Sequence, residues 1–499
     1  MHTLYYLLSI IICLLYVSYA SATTINTKLC MPSENIGKLY YVSIDGMDYK
    51  GDGSISNPWR NIEFAISQAK DLSTIIVKPG VYVGTTRVKK TFNKGLLIKS
   101  EFPYLAKLTH NARILAIVGN AKNITIEGFE FTHNTEAPHP VLVHIDGYGS
   151  YGTPKTVSNI TLRNNILHDS FNNDLLKINN GAKNIKVHCN MFYNQGDSDE
   201  HIDVNSVTNV DIADNIFFND FPASNRKITK KSSSFIVVKD SNDHEDKLIG
   251  AKNINIHRNV FFNWQGSHGH GFILIGEDGK PYYEADGVNI YNNLFLGNSP
   301  ISMRSPLGIK GAKNIRYFNN TISGDLPSNA YALRANRENK NQINDNIELF
   351  NNIWADPTGT MGQGEYESTV DFSDTLPNQV ERFILHNNLV FNGGLELPYS
   401  LWDKINPKDD IKLTNQDPMF RNTTTLVSPV WQANKSIFAD GSFTIRNAFL
   451  RIVLLYGVPE NIKAITQVID NSEIPSKDIL GKKRSNPHSL GAYSINNTN

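Results

Sequence analysis

The clearest pattern along the chain is an alternation of apolar and polar residues that recurs in short blocks. Each block has the form Asn-Ile-x-Ile-x-x-Asn-x-Phe, and the closest copies begin at Asn159, Asn184, Asn209 and Asn253. The apolar side chains of a block lie two residues apart, which is the period of a β-strand with one buried face. The first three of these blocks begin 25 residues apart. This spacing predicts a solenoid in which each coil repeats one strand–turn unit.

The second asparagine of each block adds information about the architecture. It recurs at Asn165, Asn190, Asn215, Asn259, Asn293, Asn320, Asn352 and Asn388. Stacked coils place such side chains above one another at a bend, where the amides bond to turn backbone and to each other. A propeller does not need this single ladder, and leucine-rich repeats need regular leucines, which the chain lacks. We therefore predict an all-β fold, a single right-handed parallel β-helix with a structural asparagine ladder.

The ends of a solenoid expose core residues and must be covered. Near the N-terminus, Asn57-Pro58-Trp59 opens a predicted helix of about a dozen residues, whose apolar stripe suits a cap. We divide the chain into a signal peptide (1–22), an N-terminal cap with the first coils (23–110), the β-helix (111–400) and a C-terminal extension and cap (401–499). The segments SFTIRNAFLRIVLLYG and LGAYSI are the candidates for that second cap.

The N-terminus predicts secretion. An apolar run from Leu4 to Val17 is short for a bilayer span, and Ala20-Ser21-Ala22 has the small-residue pattern of a signal peptidase site. The n-region has no Lys or Arg, so an uncleaved anchor is the alternative. After cleavage the protein is expected outside the cell or in a periplasm, free of the membrane. The cysteines that remain, Cys30 and Cys189, form one bridge or two free thiols.

Net charge excludes strong electrostatic steering by the whole molecule. Lys plus Arg and Asp plus Glu both number 48. Such a balance gives no general attraction to nucleic acid or to an anionic membrane, and neither is an expected partner. Any charged site must therefore be local, and we expect the protein to be a monomer.

The densest acidic cluster follows the block at Asn184. It contains Asp199, Glu200 and Asp203, and Asp174 occupies the comparable place one coil earlier, 25 residues before Asp199. Strand parity predicts that Asp199, His201 and Asp203 project from one face. Carboxylates that converge from adjacent coils repel one another or hold a hard cation, and oxygen-rich clusters suit Ca²⁺. The alternative is a solvated acidic turn.

Lys239 closes the apolar strand Phe235-Ile236-Val237-Val238 on the next coil. A lone lysine usually extends to solvent. Beside a divalent cation and partly buried, however, its pKa is expected to fall, so that it can act as a base. Splitting a uronic-acid polymer by β-elimination needs such a base together with a cation that stabilises the charge developing next to the sugar carboxylate.

Later coils supply candidate substrate-binding residues. Arginine pairs with carboxylates in a bidentate manner, and basic side chains on the same groove can bind an acidic polymer. Two histidines alone are insufficient for zinc. The candidates are His268, His270, Arg304, Lys310 and Arg334.

The opening YYVSIDGMD through NPWRNIEFAI to VKPGVY, the coil pattern and the closing LGAYSI resemble the pectate-lyase-like superfamily of right-handed parallel β-helices. The acidic cluster is similar to that of polysaccharide lyase family 9. This resemblance implies that Asp174, Asp199, Glu200 and Asp203 hold calcium and that Lys239 is the base. Glu200 stands where that family has a second aspartate, and His201 where it has a small residue. A weaker resemblance is to the family of alginate lyases and chondroitinase B, whose calcium-binding glutamates correspond to Ser232 and Ser234.

The sequence therefore predicts a secreted, Ca²⁺-dependent polysaccharide lyase that cleaves an acidic, pectate-like polysaccharide. Two alternatives stay open, because one fold carries many functions. A glycoside hydrolase of the same fold would use a pair of carboxylates without obligatory calcium. A non-catalytic carbohydrate-binding or adhesive β-helix would use the acidic cluster as a structural calcium site.

Overall fold

The computed structural model describes residues 29–134, 140–147, 156–242, 248–297, 299–324, 331–362, 372–421, 426–467 and 474–494. The predicted signal peptide, residues 1–22, lies outside the described residues. Among the described residues, none of the helices has the length and hydrophobicity needed to span a bilayer.

Three long sheets, each made only of parallel strand pairs, form the body of the protein. Sheet 1 has twelve strands: Lys38–Val42, Ser73–Val77, Thr91–Ser100, Lys122–Glu127, Ser158–Arg163, Lys183–His188, Thr208–Ala213, Ala251–His257, Ala285–Tyr291, Ala312–Phe318, Asp345–Phe350 and Phe383–His386. Sheet 2 has eleven: Gly80–Val83, Ala106–His110, Glu130–His133, Ile166–His168, Met191–Tyr193, Ile216–Phe218, Val260–Phe261, Leu294–Leu296, Thr321–Ser323, Ile353–Asp356 and Leu389–Asn392. Sheet 3 has nine: Thr86–Val88, Leu115–Ile117, Val143–Asp146, Leu176–Asn179, Ile202–Asn205, Ile236–Lys239, Ile273–Ile275, Leu307–Lys310 and Arg334–Asn336.

The chain passes through sheets 1, 2 and 3 in that order, so that each coil in the middle of the protein contributes one strand to each sheet, whereas coils at the two ends lack a strand in one or two of the sheets. Every strand pairs with its counterpart one coil away. The predicted all-β architecture, a right-handed parallel β-helix, is therefore confirmed. Outside it lie the two-stranded pairs Trp431–Gln432 with Ile437–Phe438 and Thr466–Gln467 with His488–Ser489, the helices α1 (Ile62–Gln68), α2 (Ile445–Tyr456) and α3 (Ile462–Ile465), and the 3₁₀ turns Pro222–Ser224 and Pro407–Asp409.

Identical positions of successive coils stack inside the helix. On sheet 2, the rings of Phe192, Phe217, Phe261 and Phe295 lie face to face with centroids 4.8 to 5.0 Å apart. This distance is the spacing of neighbouring strands, about 4.8 Å, so the alternating apolar residues of the sequence blocks become continuous columns. The same stacking brings outward-facing polar residues of successive coils into register.

The predicted asparagine ladder is confirmed. From Asn190 onward, each ladder amide oxygen accepts hydrogen bonds from the backbone N–H and the side-chain amide of the asparagine one coil earlier, as Asn259 does from Asn215, both at 3.0 Å. The residue before most ladder positions has a left-handed backbone, as at Asn319 with φ of 52°, which asparagine tolerates. At the far end the carboxylate of Asp410 accepts from Asn388 and terminates the ladder.

We expect Asn259→Ala to lower the free energy of unfolding by about 3 kcal/mol or more, because it leaves several buried polar groups without partners. The Asn259 side chain is fully buried and also donates to Ile212 O at 2.9 Å and to Asn293. The measurement is chemical denaturation. The control is Asn253→Gly, at an exposed position with φ of 56° whose side chain donates to Asn209 Oδ1 at 3.2 Å. Equal losses for the two variants would contradict the argument.

The N-terminal capping helix is present but is shorter than the dozen residues expected. Helix α1 has seven residues, and its buried residues Ile62, Ala65 and Ile66 cover the first coil. It starts late because Trp59 N donates to Tyr41 O in a strand-like bridge, which holds the chain extended up to the helix.

The C-terminal segment has two places in the fold. Ile405, with Leu397 and Leu413, packs on the last coil of the core. Helix α2 instead lies along the outer face of sheet 2, where Phe449 and Ile452 belong to a second apolar cluster. The sequence offered this helix as an end cap, but its wide apolar face is buried against the side of the solenoid.

Cys30 and Cys189 form a disulfide bond with a Cα–Cα distance of 5.5 Å. Of the two alternatives that the sequence allowed, the bridge is the one observed. It ties the described N-terminal segment to the bend between sheets 1 and 2.

Candidate active site

The acidic residues meet at the N-terminal ends of two neighbouring strands of sheet 3. Asp174 precedes the strand Leu176–Asn179, and Asp199 and Glu200 precede the next strand of that sheet, Ile202–Asn205. The two strands pair in register, with Lys177 opposite Asp203. Because the coils repeat after about 25 residues, residues distant in sequence become neighbours across one strand spacing.

Three carboxylates form a compact group. Asp174, Asp199 and Glu200 each offer an oxygen, and these oxygens lie within 4.8 Å of one another. Glu200 N donates to Asp174 Oδ1 at 3.0 Å, and Asn173 donates to Asp199 from its backbone at 3.1 Å and its amide at 3.3 Å. These bonds hold the carboxylates together despite their like charge.

Burial makes the charged forms costly. It raises the pKa of Asp199 to about 7, with the neighbouring Asp174 carboxylate adding to the effect. Burial likewise raises the pKa of Asp174, and that of Glu200 well above its ordinary value, again with help from adjacent carboxylates. Such a group is stable as an anion only when positive charge is close.

The pKa of Asp199 implies a signed dependence of stability on pH. Its folded value, about 7, lies above the unfolded value near 4, so the folded state binds more protons between them. We therefore expect protein in chelator to lose stability as the pH rises from about 4 to about 7. Thermal unfolding at several pH values checks this, with Asp199→Asn as the comparison that should flatten the dependence. A rise in stability over this interval that disappears in Asp199→Asn would contradict it.

Lys177 is a site residue that the sequence analysis missed. Its ammonium donates to Asp203 Oδ2 and lies 3.7 Å from Asp174 Oδ2. Burial alone would lower the pKa of Lys177, but Asp203 and Asp174 raise it well above its ordinary value. The spacing of 26 residues between Lys177 and Asp203, one coil, was the available signal.

The two carboxylate oxygens of Asp203 differ in their contacts, and Oδ2 is the one that accepts from Lys177. Asp203 is 1% exposed, and its Oδ1 is buried and has no hydrogen-bond partner among the described residues. A buried carboxylate oxygen without a partner is costly unless a cation or water meets it. The three clustered carboxylates form an oxygen-only donor set of the kind that fits a calcium ion, and Asp203 lies next to this group.

Lys239 ends the strand Ile236–Lys239, next to the strand that carries Asp203. Its ammonium donates to Glu277 Oε2. Burial lowers the pKa of Lys239, but Asp203, Glu200 and Glu277 outweigh burial and raise it well above its ordinary value. The expected fall in this pKa is therefore not observed, because carboxylates surround the lysine.

Glu277 belongs to a loop whose backbone is held by hydrogen bonds to a buried carboxylate. Glu284, which is fully buried, accepts hydrogen bonds from the backbone N–H of Glu277 at 2.9 Å, of Asp278 at 3.0 Å and of Lys280 at 3.1 Å. Nothing in the sequence of this loop indicates that Glu284 would hold it.

The prediction that His201 shares a face with Asp199 and Asp203 is wrong. The strand begins only at Ile202, so the alternation does not extend back through the turn. His201 is fully buried, stacks on Phe235 with centroids 4.2 Å apart and bonds through Nε2 to Asn219 Oδ1. Burial lowers its pKa to about 3, so it is a neutral core residue that leaves the acidic group unobstructed.

The predicted substrate-binding residues lie on the coils that follow. His270, Arg304, Lys310 and Arg334 line one small cleft over sheet 3. Arg304 and Arg334 both bond to Asp374 Oδ2, at 3.0 and 2.7 Å, and Lys310 pairs with Glu338.

The two histidines occupy different positions. His270 Nδ1 bonds to Ser233 Oγ at 3.3 Å beside the Glu277 loop, and burial lowers its pKa. His268 bonds to Ser302 on the neighbouring coil at 2.7 Å and is outside that cleft's lining. The structure thus brings four of the five residues together near Lys239 and leaves His268 at the margin.

We expect Lys177→Met to raise the affinity for Ca²⁺ about tenfold, close to 1.4 kcal/mol, because the variant removes the cation that competes for Asp174 and Asp203. Calorimetric titration or terbium luminescence measures the affinity. The control is Lys183→Met, an exposed lysine on the neighbouring sheet. Weaker binding by Lys177→Met would show that the ammonium supports the site.

Comparisons with known proteins establish the fold. No family model matches the sequence, and no curated protein matches it. The structure is similar to that of pectate lyase Pel9A, with a TM-score of 0.52 and 14% identity over 95% of this chain and 98% of that one. Lower scores are found for the lacto-N-biosidase from Eubacterium ramulus (0.48, 11% identity, 76% of this chain and 66% of that one) and for PfbA, a surface adhesin of Streptococcus pneumoniae (0.41, 13% identity, 64% and 77%).

The chain therefore has a pectate-lyase-like parallel β-helix fold. At these identities the likeness concerns the fold alone, so the activity must be argued from the site.

Proposed function

We propose that the protein is a secreted, calcium-dependent polysaccharide lyase that cleaves an acidic, uronate-containing, pectate-like polysaccharide by β-elimination. The observation that carries this proposal is the meeting of Asp174, Asp199 and Glu200 on adjacent coils, with Lys239 on the coil that follows. Asp203 adds its unpartnered oxygen to the calcium ligands.

In the proposed β-elimination, the acidic group holds calcium and Lys239 acts as the base. When bound, calcium supplies positive charge that offsets the carboxylates around Lys239 and stabilises the charge developing beside the substrate carboxylate. Lys239 Nζ, in its neutral amine form, takes the proton from the sugar carbon next to that carboxylate. The electron pair of the broken C–H bond forms the new C=C bond as the bond to the leaving sugar oxygen breaks, and that oxygen takes a proton from water. Glu277 accepts a hydrogen bond from Lys239 Nζ and so positions it, and the loop of Glu277 is fixed by Glu284.

The cations on later coils suit the rest of an acidic polymer. Arg304, Lys310 and Arg334 lie along sheet 3 beyond Lys239, each already paired with a carboxylate. A substrate carboxylate can replace Asp374 or Glu338 as the partner of these groups, since guanidinium binds either in the same geometry. His270 is held neutral by burial and is available as a hydrogen-bonding group.

The disulfide supports a secreted location. Bonds of this kind persist in oxidising compartments and are rare in reducing ones. The bridge between Cys30 and Cys189 joins segments far apart in the chain, so it serves the fold rather than a local redox motif.

The experiment is incubation of purified protein with polygalacturonate, alginate and glycosaminoglycans, with either calcium or chelator. The ultraviolet absorbance of unsaturated uronide ends reports elimination. Growth of absorbance only with calcium supports the lyase and identifies the polymer. New reducing ends without absorbance, in chelator, would indicate the hydrolase, and no reaction of folded protein with any polymer would favour the binding or adhesive β-helix.

A further inference from the structure

The outer face of sheet 1, on another side of the solenoid from the candidate active site, carries a groove that the proposed reaction does not use. Two clefts of about 480 and 400 Å³ adjoin there and share Arg258 and Lys477 in their linings. They arise because the C-terminal segment around Lys477 crosses the face of the sheet, held by Asn292 Nδ2, which donates to Lys477 O at 2.7 Å.

The charge of this groove departs from that of the whole chain. Its cations, which define the basic groove, are Arg163, Lys186, Arg258, Arg316 and Lys477. Among the described residues that line the two clefts, the one carboxylate is Asp214. A local excess of cations on a protein with 48 basic and 48 acidic residues is a specific feature of this surface.

The carboxylates at and beneath the groove accept hydrogen bonds from, or lie within hydrogen-bond distance of, side chains on the same face. Arg258 binds Asp214 with two hydrogen bonds, of 2.7 and 2.8 Å. Asp211 lies between His188 and His257, whose Nε2 atoms are 2.8 and 2.9 Å from its two oxygens. Arg316 is likewise engaged, since its Nε donates to Glu348 at 3.0 Å, and the exposed Lys186 and Lys477 are the cations at the surface of the groove.

The shape and the remaining lining favour a glycan. The clefts extend over seven strands of sheet 1, from Thr125 to Phe318, which corresponds to about 29 Å at a strand spacing of about 4.8 Å. Asn255 and Asn289 line the same surface, and amides of this kind donate to and accept from sugar hydroxyls.

Nucleic acid suits the groove less well. Single strands bind by stacking bases on open aromatic faces. The aromatic ring of the groove with the greatest exposure, Tyr291, stacks on His257 at 4.6 Å and on Phe318 at 5.0 Å, so both of its faces are occupied. The groove thus offers charges and amides along its length, without a stacking platform.

We propose that the basic groove is a second polysaccharide-binding site, which takes a carboxylated glycan chain along the outer face of sheet 1 independently of calcium. Binding there retains the protein on an acidic polymer while the site on sheet 3 remains free. The groove does not depend on Lys239 or on the acidic group, so it can exist whether or not the protein is a lyase.

The test is affinity electrophoresis in gels that contain polygalacturonate, alginate, neutral dextran or DNA, with chelator throughout to exclude the calcium site. We expect retardation by the carboxylated polymers and none by dextran. Lys186→Glu/Lys477→Glu, at two exposed positions, should weaken binding about tenfold or more, and added salt should weaken it further.

The matched control is Lys435→Glu/Lys463→Glu, which makes the same change in net charge at exposed positions outside the groove. The control should bind like the unmodified protein. No retardation in chelator, equal losses in the two double variants, or stronger retardation by DNA than by the carboxylated polymers would each overturn the proposal. Because cleavage is not measured, failure here leaves the lyase proposal standing, and failure of the lyase leaves this one standing.

Discussion

Lys239→Ala is expected to lower the rate of calcium-dependent elimination by about 10²- to 10⁴-fold, the usual contribution of a general base. Lys239 ends a strand of sheet 3 on the coil next to Asp203, and its side chain is 12% exposed and paired with Glu277. Asp203 and Glu200 also raise its pKa. Lys177 is the other buried lysine beside the acidic group, and it is paired with Asp203 itself.

The measurement separates loss of the base from loss of the site. Calcium affinity and folding should be retained in Lys239→Ala, because the alanine removes a cation and no calcium ligand. Lys313→Ala, which removes a lysine from the face of sheet 1 and its pair with Asp286, is the matched control and should keep full activity. Activity of Lys239→Ala close to that of the unmodified protein would assign the proton transfer to another residue.

Much of the fold could be predicted because each coil repeats the same local rules. The alternation around Ile254 and Ile256 and the asparagine at Asn259 specify a strand, a face and a bend, and repetition multiplies that signal. The limits of helix α1 and the position of helix α2 were not predictable in this way. They depend on contacts such as that of Trp59 with Tyr41, which join residues outside the repeat.

In the candidate active site too, the features that follow from the repeat were predictable and those that depend on residues outside it were not. Register alone brought Asp174 beside Asp199 and Glu200, and 25-residue spacing was enough to predict it. Parity failed for His201, because the strand starts one residue after it and the turn before the strand has no period of two.

Other features of the site depend on three-dimensional surroundings. The pKa of Lys239 is raised by Asp203 and Glu200 and also by Glu277, which lies 38 residues away on a loop of the next coil. The orientation of that loop depends on Glu284, a buried carboxylate whose partners are backbone N–H groups that the sequence does not mark. Repeat spacing therefore predicts which charged residues cluster. Their protonation states depend on loop residues, whose positions the spacing does not predict.

Asp174→Asn is expected to change stability in opposite directions with and without calcium. Asp174 is 1% exposed, and burial and the Asp203 charge raise its pKa, so its ionised form is destabilising in the absence of a cation. The amide is nearly isosteric and keeps an oxygen for the Glu200 N–H. In chelator the variant should therefore melt at a higher temperature than the unmodified protein, because a like charge has been removed from a buried cluster.

With calcium the order should reverse. The unmodified protein gains RT ln(1 + [Ca²⁺]/Kd), about 2.7 kcal/mol when calcium is 100 times its Kd, whereas Asp174→Asn should bind calcium about 100-fold more weakly and gain little. Thermal melts of both proteins in calcium and in chelator give the four values required. Asp197→Asn, an exposed carboxylate of the same loop that bonds to Thr229, is the charge-matched control and should leave both melts and the calcium shift unchanged. A calcium shift in Asp174→Asn equal to that of the unmodified protein would exclude Asp174 from the calcium ligands and, with it, the proposed reading of the acidic group as the cation site of a lyase.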